Sequence, residues 1–437
     1  MKSREPKLIF LTGEFFPTIS SVSKCVLNLA KEAAKTNEVT IVCVDTSGKH
    51  KSGEIIEGIE FVFIDFPHII MRTRLSNKRK DSHGFMKAFW HTVFMLFNLK
   101  KFISMILFRK IMLFKKAVKS YGEALEKCKT GKSNILIPCC MPAETFEAAM
   151  ASIKKDDNTF MVPILFDPFA DNGNIYHSKI IKFLKYNNNL AFERSLIRSS
   201  NRFLYISHNQ KFITDNFAEF KDKMVKIEHP FSDYSVGSFG ANGNEKREVD
   251  PKEITLLYTG TVGKKVRPVD FTIDFLDKIL SVNKNLFAHF FISGEGTDLV
   301  RKISKKNRQI VLHPWGTLVE VEEAIKKADM FISIGNIRGI CQIPGKLSDY
   351  IITGKPIIHF YHSEDDPVIS LLEKYPNAIL IQQNYKDIGY NINKFEQFIL
   401  KKHSAIPLKD VELMFPMSIP RNIISEIKNI KKGQTID

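Results

Sequence analysis

The 437-residue sequence is poor in cysteine and tryptophan and, over one long stretch, almost without acid. Its six cysteines (Cys25, Cys43, Cys128, Cys139, Cys140, Cys341) show no metal-ligand spacing, and the adjacent Cys139 and Cys140 suit neither an ordinary disulfide nor a zinc site. This argues against a disulfide-stapled scaffold and fits a reducing cytosol. No run of about 18 uncharged apolar residues occurs, so no ordinary membrane-crossing helix is expected. The opening MKSREPKLIFLTGEFFP has a short apolar run closed by Glu14, which is not the profile of a secretory leader. What remains is ordinary globular material: 44% hydrophobic and 26% charged residues, enough to bury two substantial cores.

The net charge of +16 is concentrated. Between Arg72 and Gly122 lie thirteen Lys or Arg and one acid, Asp81; from His83 to Gly122 there is no acid at all. This stretch is also aromatic, with Phe85, Phe89, Val93 and Phe97 recurring every four residues, which predicts helices. Two readings stand: an interfacial surface beneath anionic head groups, or a core helix pair with a basic outer face. A nucleic-acid surface is disfavoured, because the Phe, Leu and Ile content exceeds what base stacking needs.

Along the chain, Lys7–Thr12 reads as a buried strand, followed by the loop GEFFPTISS and a helix from about Val22 to Lys35. Strands at Glu38–Val44, Ile59–Ile64, Asn134–Ile137 and Phe160–Phe166 follow, then a helix from about Tyr176 to Arg198 and the strand Arg202–Ile206. Ser207 reads as an N-cap and His208 as a surface residue. The glycine-rich, then charged, segment 235–253 reads as a linker between a first domain, 1–234, and a second, 254–395. Six more strands begin near Ile254, Ala288, Ile310, Met330, Pro356 and Ala378. The implied class is α/β: two doubly wound, Rossmann-like domains facing a cleft.

The most informative stretch is IPGKLSDYIITGKPII, Ile343 to Ile358: a turn at Pro344–Gly345, a short helix, a stop at Gly354 and a buried strand. A helix start beside the carboxyl end of a parallel strand favours anions. Lys346 lies in the first helical turn and Asp349 three residues on, a cation for phosphate and a carboxylate for sugar hydroxyls. In YTGTVGKKVRP, Gly260 and Gly263 permit a tight turn, and Lys264, Lys265 and Arg267 cluster where the next helix begins. These three are either phosphate ligands or solvated loop charges. Ser333, Asn336 and Gln342 are polar loop residues near the same sheet edge.

These motifs, with LFDPFADN (Leu165–Asn172), Gly294-Glu-Gly296 and VLHPWGTL (Val311–Leu318), resemble those of GT-B glycosyltransferases, particularly family four and its capsule and cell-wall polysaccharide relatives. The resemblance implies that Asp349 binds the nucleotide ribose, and that Gly260, Gly345, Lys346, Arg267 and Lys265 surround the diphosphate. Trp315 or the backbone near His313 would contact the base, the other reading of Trp315 being a buried structural residue. Asn336 and Gln342, simply as polar loop residues, are expected to meet donor hydroxyls, and Asp167 would orient or deprotonate the acceptor. Cys341 stands where the family pattern has a glutamate, and Ser20–Ser21 where it has two glycines. The resemblance further implies retention at the anomeric carbon and C-terminal helices, 396–437, that cross back to the first domain. There is no Asp-x-Asp signature, so no metal is expected, and no cofactor beyond the donor.

The expected activity is therefore glycosyl transfer from a nucleoside diphosphate sugar, UDP in particular, to a lipid-linked or polysaccharide acceptor in bacterial surface glycan synthesis. The expected place is the cytoplasmic face of an anionic membrane, with no nucleic acid as partner. The main rival is a noncatalytic sugar-nucleotide-binding protein of the same fold.

Overall fold

The apolar runs form the centres of parallel sheets in a computed structural model that describes residues 5–17, 19–107, 113–131, 133–172, 179–232, 253–316, 318–337, 342–401 and 403–430. Cys341 and nearly all of the expected linker lie outside the described residues. The chain forms two units, residues 1–230 with 417–437, and residues 231–416.

In the first unit, β1 (Lys7–Phe16), β2 (Val39–Asp45), β3 (Glu54–Ile56), β4 (Ile59–Phe63), β5 (Asn134–Pro138) and β6 (Thr159–Met161) form a sheet in the order β3-β4-β2-β1-β5-β6. Every pairing is parallel except β3 with β4. β1 is central, with Leu8 opposite Val39 on one side and Ile135 on the other, so its residues are buried on both faces. It runs to Phe16, beyond the expected end at Thr12, through irregular pairing after Leu11 and again after Glu14.

The run Phe160–Phe166 is not one strand. It divides between β6 and β7 (Ile164–Leu165), which joins β8 (Phe203–Ile206) and β9 (Met224–Ile227) in a separate parallel sheet. The break falls at Val162–Pro163, where proline has no N–H to continue a ladder.

The helices of this unit are α1 (Ser21–Ala34), α2 (Pro67–Asp81), α3 (Gly84–Leu107), α4 (Lys115–Cys128), α5 (Glu144–Ile153), α6 (Lys179–Ser199) and α7 (Gln210–Phe217). α1 buries Cys25, Val26, Leu29, Ala30 and Ala33, the face its spacing predicts. α3 does not form a core pair: Phe85 is 83% and Leu96 61% exposed, while Lys78 and Arg79 of α2 lie 4.4 and 4.6 Å from the ring centroids of Trp90 and Phe94. The closing helix Pro420–Lys428 buries Ile423, Ile424 and Ile427 in the first core, with Lys428 paired to Glu5 at 2.7 Å and Arg202 to Glu426.

In the second unit, β10 (Ile254–Thr261), β11 (Leu286–Ser293), β12 (Ile310–His313), β13 (Met330–Ile334), β14 (Ile357–Tyr361) and β15 (Ala378–Gln382) form a wholly parallel sheet in the order β12-β11-β10-β13-β14-β15. Its helices are α8 (Asp270–Val282), α9 (Thr297–Ser304), α10 (Leu318–Lys327), α11 (Lys346–Ile351), α12 (Pro367–Leu372), α13 (Ile388–Leu400) and α14 (Leu408–Met414). Residues 396–416, grouped by the sequence reading with the last helices, belong to this unit, and residues 417–430 belong to the first. The strand order reverses between β10 and β13, which places a topological switch point at their carboxyl ends.

Candidate functional site

At that switch point β10 ends in Thr259-Gly260-Thr261. Gly260 has φ +128°, a conformation side chains rarely adopt, and a Cβ there would lie 3.3 Å from Lys346 Nζ. Lys346 donates from Nζ to the Thr259 carbonyl at 2.6 Å and stands 3.3 Å from the centroid of the Tyr258 ring. Burial, and then the nearby Arg267 guanidinium, push its pKa well below that of an ordinary lysine.

Arg267 closes a small loop through reciprocal backbone bonds with Gly263, at 2.9 and 2.8 Å. Its Nε and Nη2 donate to Asn336 Oδ1 at 3.1 and 2.8 Å, and Nη1 to the Thr261 carbonyl at 3.4 Å. The Ile337 amide donates to the Val266 carbonyl at 2.8 Å, fastening this loop to the one after β13. Among the described residues neither Arg267 nor Lys346 has a carboxylate partner. Their contacts are with carbonyls, an amide oxygen and the ring and hydroxyl of Tyr258, so an anion arriving there would meet uncompensated positive charge.

Lys264 and Lys265 are exposed, so of the three loop cations only Arg267 is built into the site. Asn336 is buried and its oxygen is occupied by Arg267, which makes it a positioning group for the guanidinium. α11 has only six residues, a small helix dipole, and its Gly345 carbonyl accepts from Ser348 Oγ at 2.6 Å. The electrostatic weight therefore falls on the two side chains.

Asp349 is buried, and its Oδ1 accepts from Ser232 Oγ at 2.5 Å. A hydroxyl is thus already one partner of the carboxylate that the resemblance gives to the ribose. α11 is held in register by its next residue, Tyr350. Its hydroxyl accepts from the Thr259 amide at 3.0 Å and lies 2.9 Å from Thr259 Oγ1, and its ring stacks on Phe331 at 4.3 Å.

Ser333, expected at the sheet edge, instead faces inward, 3.1 Å from His359 Nδ1; His359 Nε2 lies 3.2 Å from Asp366 Oδ2. Sequence reasoning missed this buried trio; the one signal was a histidine inside the apolar strand IIHFY. Trp315 is 54% exposed, which excludes the buried structural role. Beside it, His313 Nε2 lies 2.9 Å from His289 Nδ1, and its ring stacks on Phe291 at 4.2 Å. Burial lowers the pKa of both histidines, favouring neutral rings, one of which must accept in the N–H···N bond.

In the first unit, Asp167 Oδ1 lies 3.6 Å from His208 Nε2. The His208 side chain is 2% exposed, not a surface residue, and Ser207 donates to Glu228 Oε2 at 2.5 Å instead of capping a helix. The segment around Asp167 is fixed by its neighbours. Cys140 Sγ accepts from the Phe166 and Asp167 amides at 3.1 and 3.4 Å, Asn209 Nδ2 donates to the Phe166 carbonyl at 2.9 Å, and Glu193 accepts from the Phe169 amide at 2.5 Å. Burial pushes Glu193 up to about 8. Asp167 with a buried histidine behind it can accept a proton or orient a hydroxyl. At the β1 loop, Ser20 caps α1 by accepting from the Ser23 amide at 3.1 Å, and Ser23 Oγ donates to the Glu14 carbonyl at 2.8 Å. Ser20, one of the two serines standing for glycines, thus ties the loop down together with Ser23.

No group of three or more His, Cys, Asp or Glu suited to a metal occurs among the described residues, and no helix there is long and apolar enough to cross a membrane.

No family model and no curated protein matches the chain. Solved structures do. A Staphylococcus aureus TarM mutant, in complex with fondaparinux, α-GlcNAc-glycerol and UDP, is similar over 97% of this chain and all of its own, with a TM-score of 0.60 at 12% identity. The Thermosynechococcus elongatus sucrose-phosphate synthase gives 0.56 at 9% identity over 96% and 98%. The lipopolysaccharide outer core galactosyltransferase WaaB gives 0.53 at 13% over 96% and 99%. The fold is of the GT-B glycosyltransferase type, and the similarity extends over 96–97% of the chain.

Proposed function

We propose that this protein transfers a sugar from a nucleoside diphosphate sugar, UDP being the nucleotide, to a lipid-linked or polysaccharide acceptor of a bacterial surface glycan. The observation that carries the proposal is the pair Arg267 and Lys346, two cations without carboxylate partners among the described residues at the switch point of the second sheet. The TarM structure in complex with UDP adds support at the level of fold.

Breaking the anomeric carbon–oxygen bond leaves negative charge on the β-phosphate. Arg267 and Lys346 would take up that charge, the largest electrostatic demand of the step. Lys346, desolvated before the donor arrives, gains most from it. Asp349 would bind the ribose, Trp315 the base, and Gly260 and Gly345 would let the backbone approach the diphosphate. Lys265 would add charge from the rim, and Asp167 would orient or deprotonate the acceptor. The reaction in this reading needs no metal and retains configuration. The chain would work on the cytoplasmic face of an anionic membrane, where the basic α2 and the exposed apolar residues of α3 suit an interface.

Cys341, standing where the family pattern has a glutamate, favours a second reading, a noncatalytic nucleotide-sugar sensor. A thermal-shift panel of nucleotide sugars, followed by a donor-hydrolysis and transfer assay with the ligand that stabilises most, separates the two. Stabilisation with turnover supports the transferase, stabilisation alone the sensor, and no response to any nucleotide sugar defeats both.

A further inference from the structure

In the first unit, α2, α3 and the start of α4 line a half-open cavity of about 660 Å³, within the range of small-molecule sites. Met71, Leu96, Phe97 and Phe114 supply apolar wall, and the His68 ring stacks against Phe97 and Phe114 at 5.0 and 4.4 Å. Lys115 and Lys116 also line it; both are exposed, and among the described residues neither forms an ion pair. Of the nearby acids, Asp65 is exposed and precedes the lining residue Phe66, while two others are already engaged. Glu144 accepts from the Phe114 amide at 2.9 Å, and Glu14 is held by Arg72 and Thr73 at 3.2 and 2.7 Å. The outer face of α3 continues the apolar surface away from the cavity, with Leu96 61%, Leu99 45% and Ile103 44% exposed.

An apolar cavity with two ammonium groups at its wall, neither in an ion pair among the described residues, suits a hydrocarbon chain ending in an anionic group such as a phosphate. A free phosphate has no use for the cavity, and a neutral chain has none for the lysines. We infer that the cavity takes the hydrocarbon chain of a single-chain lipid phosphate, with Lys115 and Lys116 on the head group. That this lipid is the carrier end of the acceptor rests on the glycosyl-transfer reading. The cavity assignment itself does not.

The probe is farnesyl phosphate, kept below its micellar concentration and titrated into the full-length protein by calorimetry. One molecule should bind per chain, at least tenfold tighter than farnesol, and millimolar inorganic phosphate should not displace it. Lys115→Ala with Lys116→Ala should reduce affinity to the level of farnesol. Met71→Phe with Leu96→Phe, at partly exposed positions that tolerate larger rings, should abolish binding with an unchanged thermal melt. Failure of farnesyl phosphate to bind, equal affinity for farnesol, or unaltered binding by either double variant overturns the assignment. Nucleotide-sugar thermal shifts are measured on the same samples. Lipid binding without a donor response leaves the cavity standing and removes the transferase reading, and a donor response without lipid binding does the reverse.

Discussion

The ammonium of Lys346 lies against the face of the Tyr258 ring, 3.3 Å from its centroid, and donates to the carbonyl of the very next residue, Thr259. A cation desolvated in this way, with Arg267 nearby and no carboxylate partner among the described residues, is a destabilising element of the free protein.

Two outcomes are expected of it. Because the folded pKa is lowered, the unfolded chain binds more protons between that lowered value and the ordinary lysine value of about 10.4, so this contribution makes stability rise with pH across the window. Lys346→Met should therefore raise the urea midpoint at neutral pH and flatten that rise. The same variant, like Arg267→Ala, should weaken binding of the free nucleoside diphosphate by roughly 1.5–3 kcal/mol, the value of a hydrogen bond to a charged group. Calorimetry showing unchanged affinity in both variants would remove them from the site.

Asp349 is tested by ligand substitution. Asp349→Asn keeps the shape but loses the charge, and affinity for UDP should fall while affinity for the 2′,3′-dideoxy analogue changes little. Equal losses for both ligands would show that the carboxylate serves the fold through its bond with Ser232.

Glu193 should leave its own mark on the pH profile. Its folded pKa of about 8 stands above the ordinary value of 4.5, so its contribution to stability is full below 4.5 and is lost as pH rises towards 8. Glu193→Gln keeps an oxygen for the Phe169 amide and cannot ionise. Urea midpoints between pH 5 and 8 should fall less in this variant than in the wild type, and parallel profiles would refute the assignment.

The proposed membrane docking is tested at α3. Binding to vesicles should require acidic lipid yet survive moderate salt, since charge alone is screened over about 8 Å while inserted side chains are not. Phe85→Ser, Phe89→Ser and Leu96→Ser combined, all at exposed positions, should make binding fully salt-reversible. Phe94 is a poorer target because Arg79 covers its ring. Equally poor binding of neutral and acidic vesicles by the wild type would defeat the docking proposal.

A strand buried on both faces was plain in the sequence because it is an unbroken apolar run: Met330–Ile334 falls where the run does. The division at Val162–Pro163 was harder, since apolar residues on both sides of one proline look like a single strand until each pairs with a different neighbour. Within the site, Gly260, Lys346 and Arg267 could be found because glycines and cations at the ends of apolar runs are local signals. Their relation was not legible. It depends on Tyr350 reaching 91 positions back to Thr259, and on Arg267 reaching Asn336 across 69 positions. His208 was misjudged for the same reason: nothing adjacent in the chain shows that Asp167 stands beside it.

The cysteines give the chain a chemical clock. Cys25, Cys43, Cys128, Cys139 and Cys140 all belong to the first unit, all are buried, and burial raises the thiol pKa of Cys43, Cys139, Cys128 (to about 11) and Cys140 (to about 12). An alkylating reagent needs a thiolate it can reach, so it should read these sites only at the rate at which the first unit opens. With Cys341 replaced, every remaining thiol would report on that unit alone. Labelling followed over time would then measure how often one half of the molecule opens while staying blind to the other.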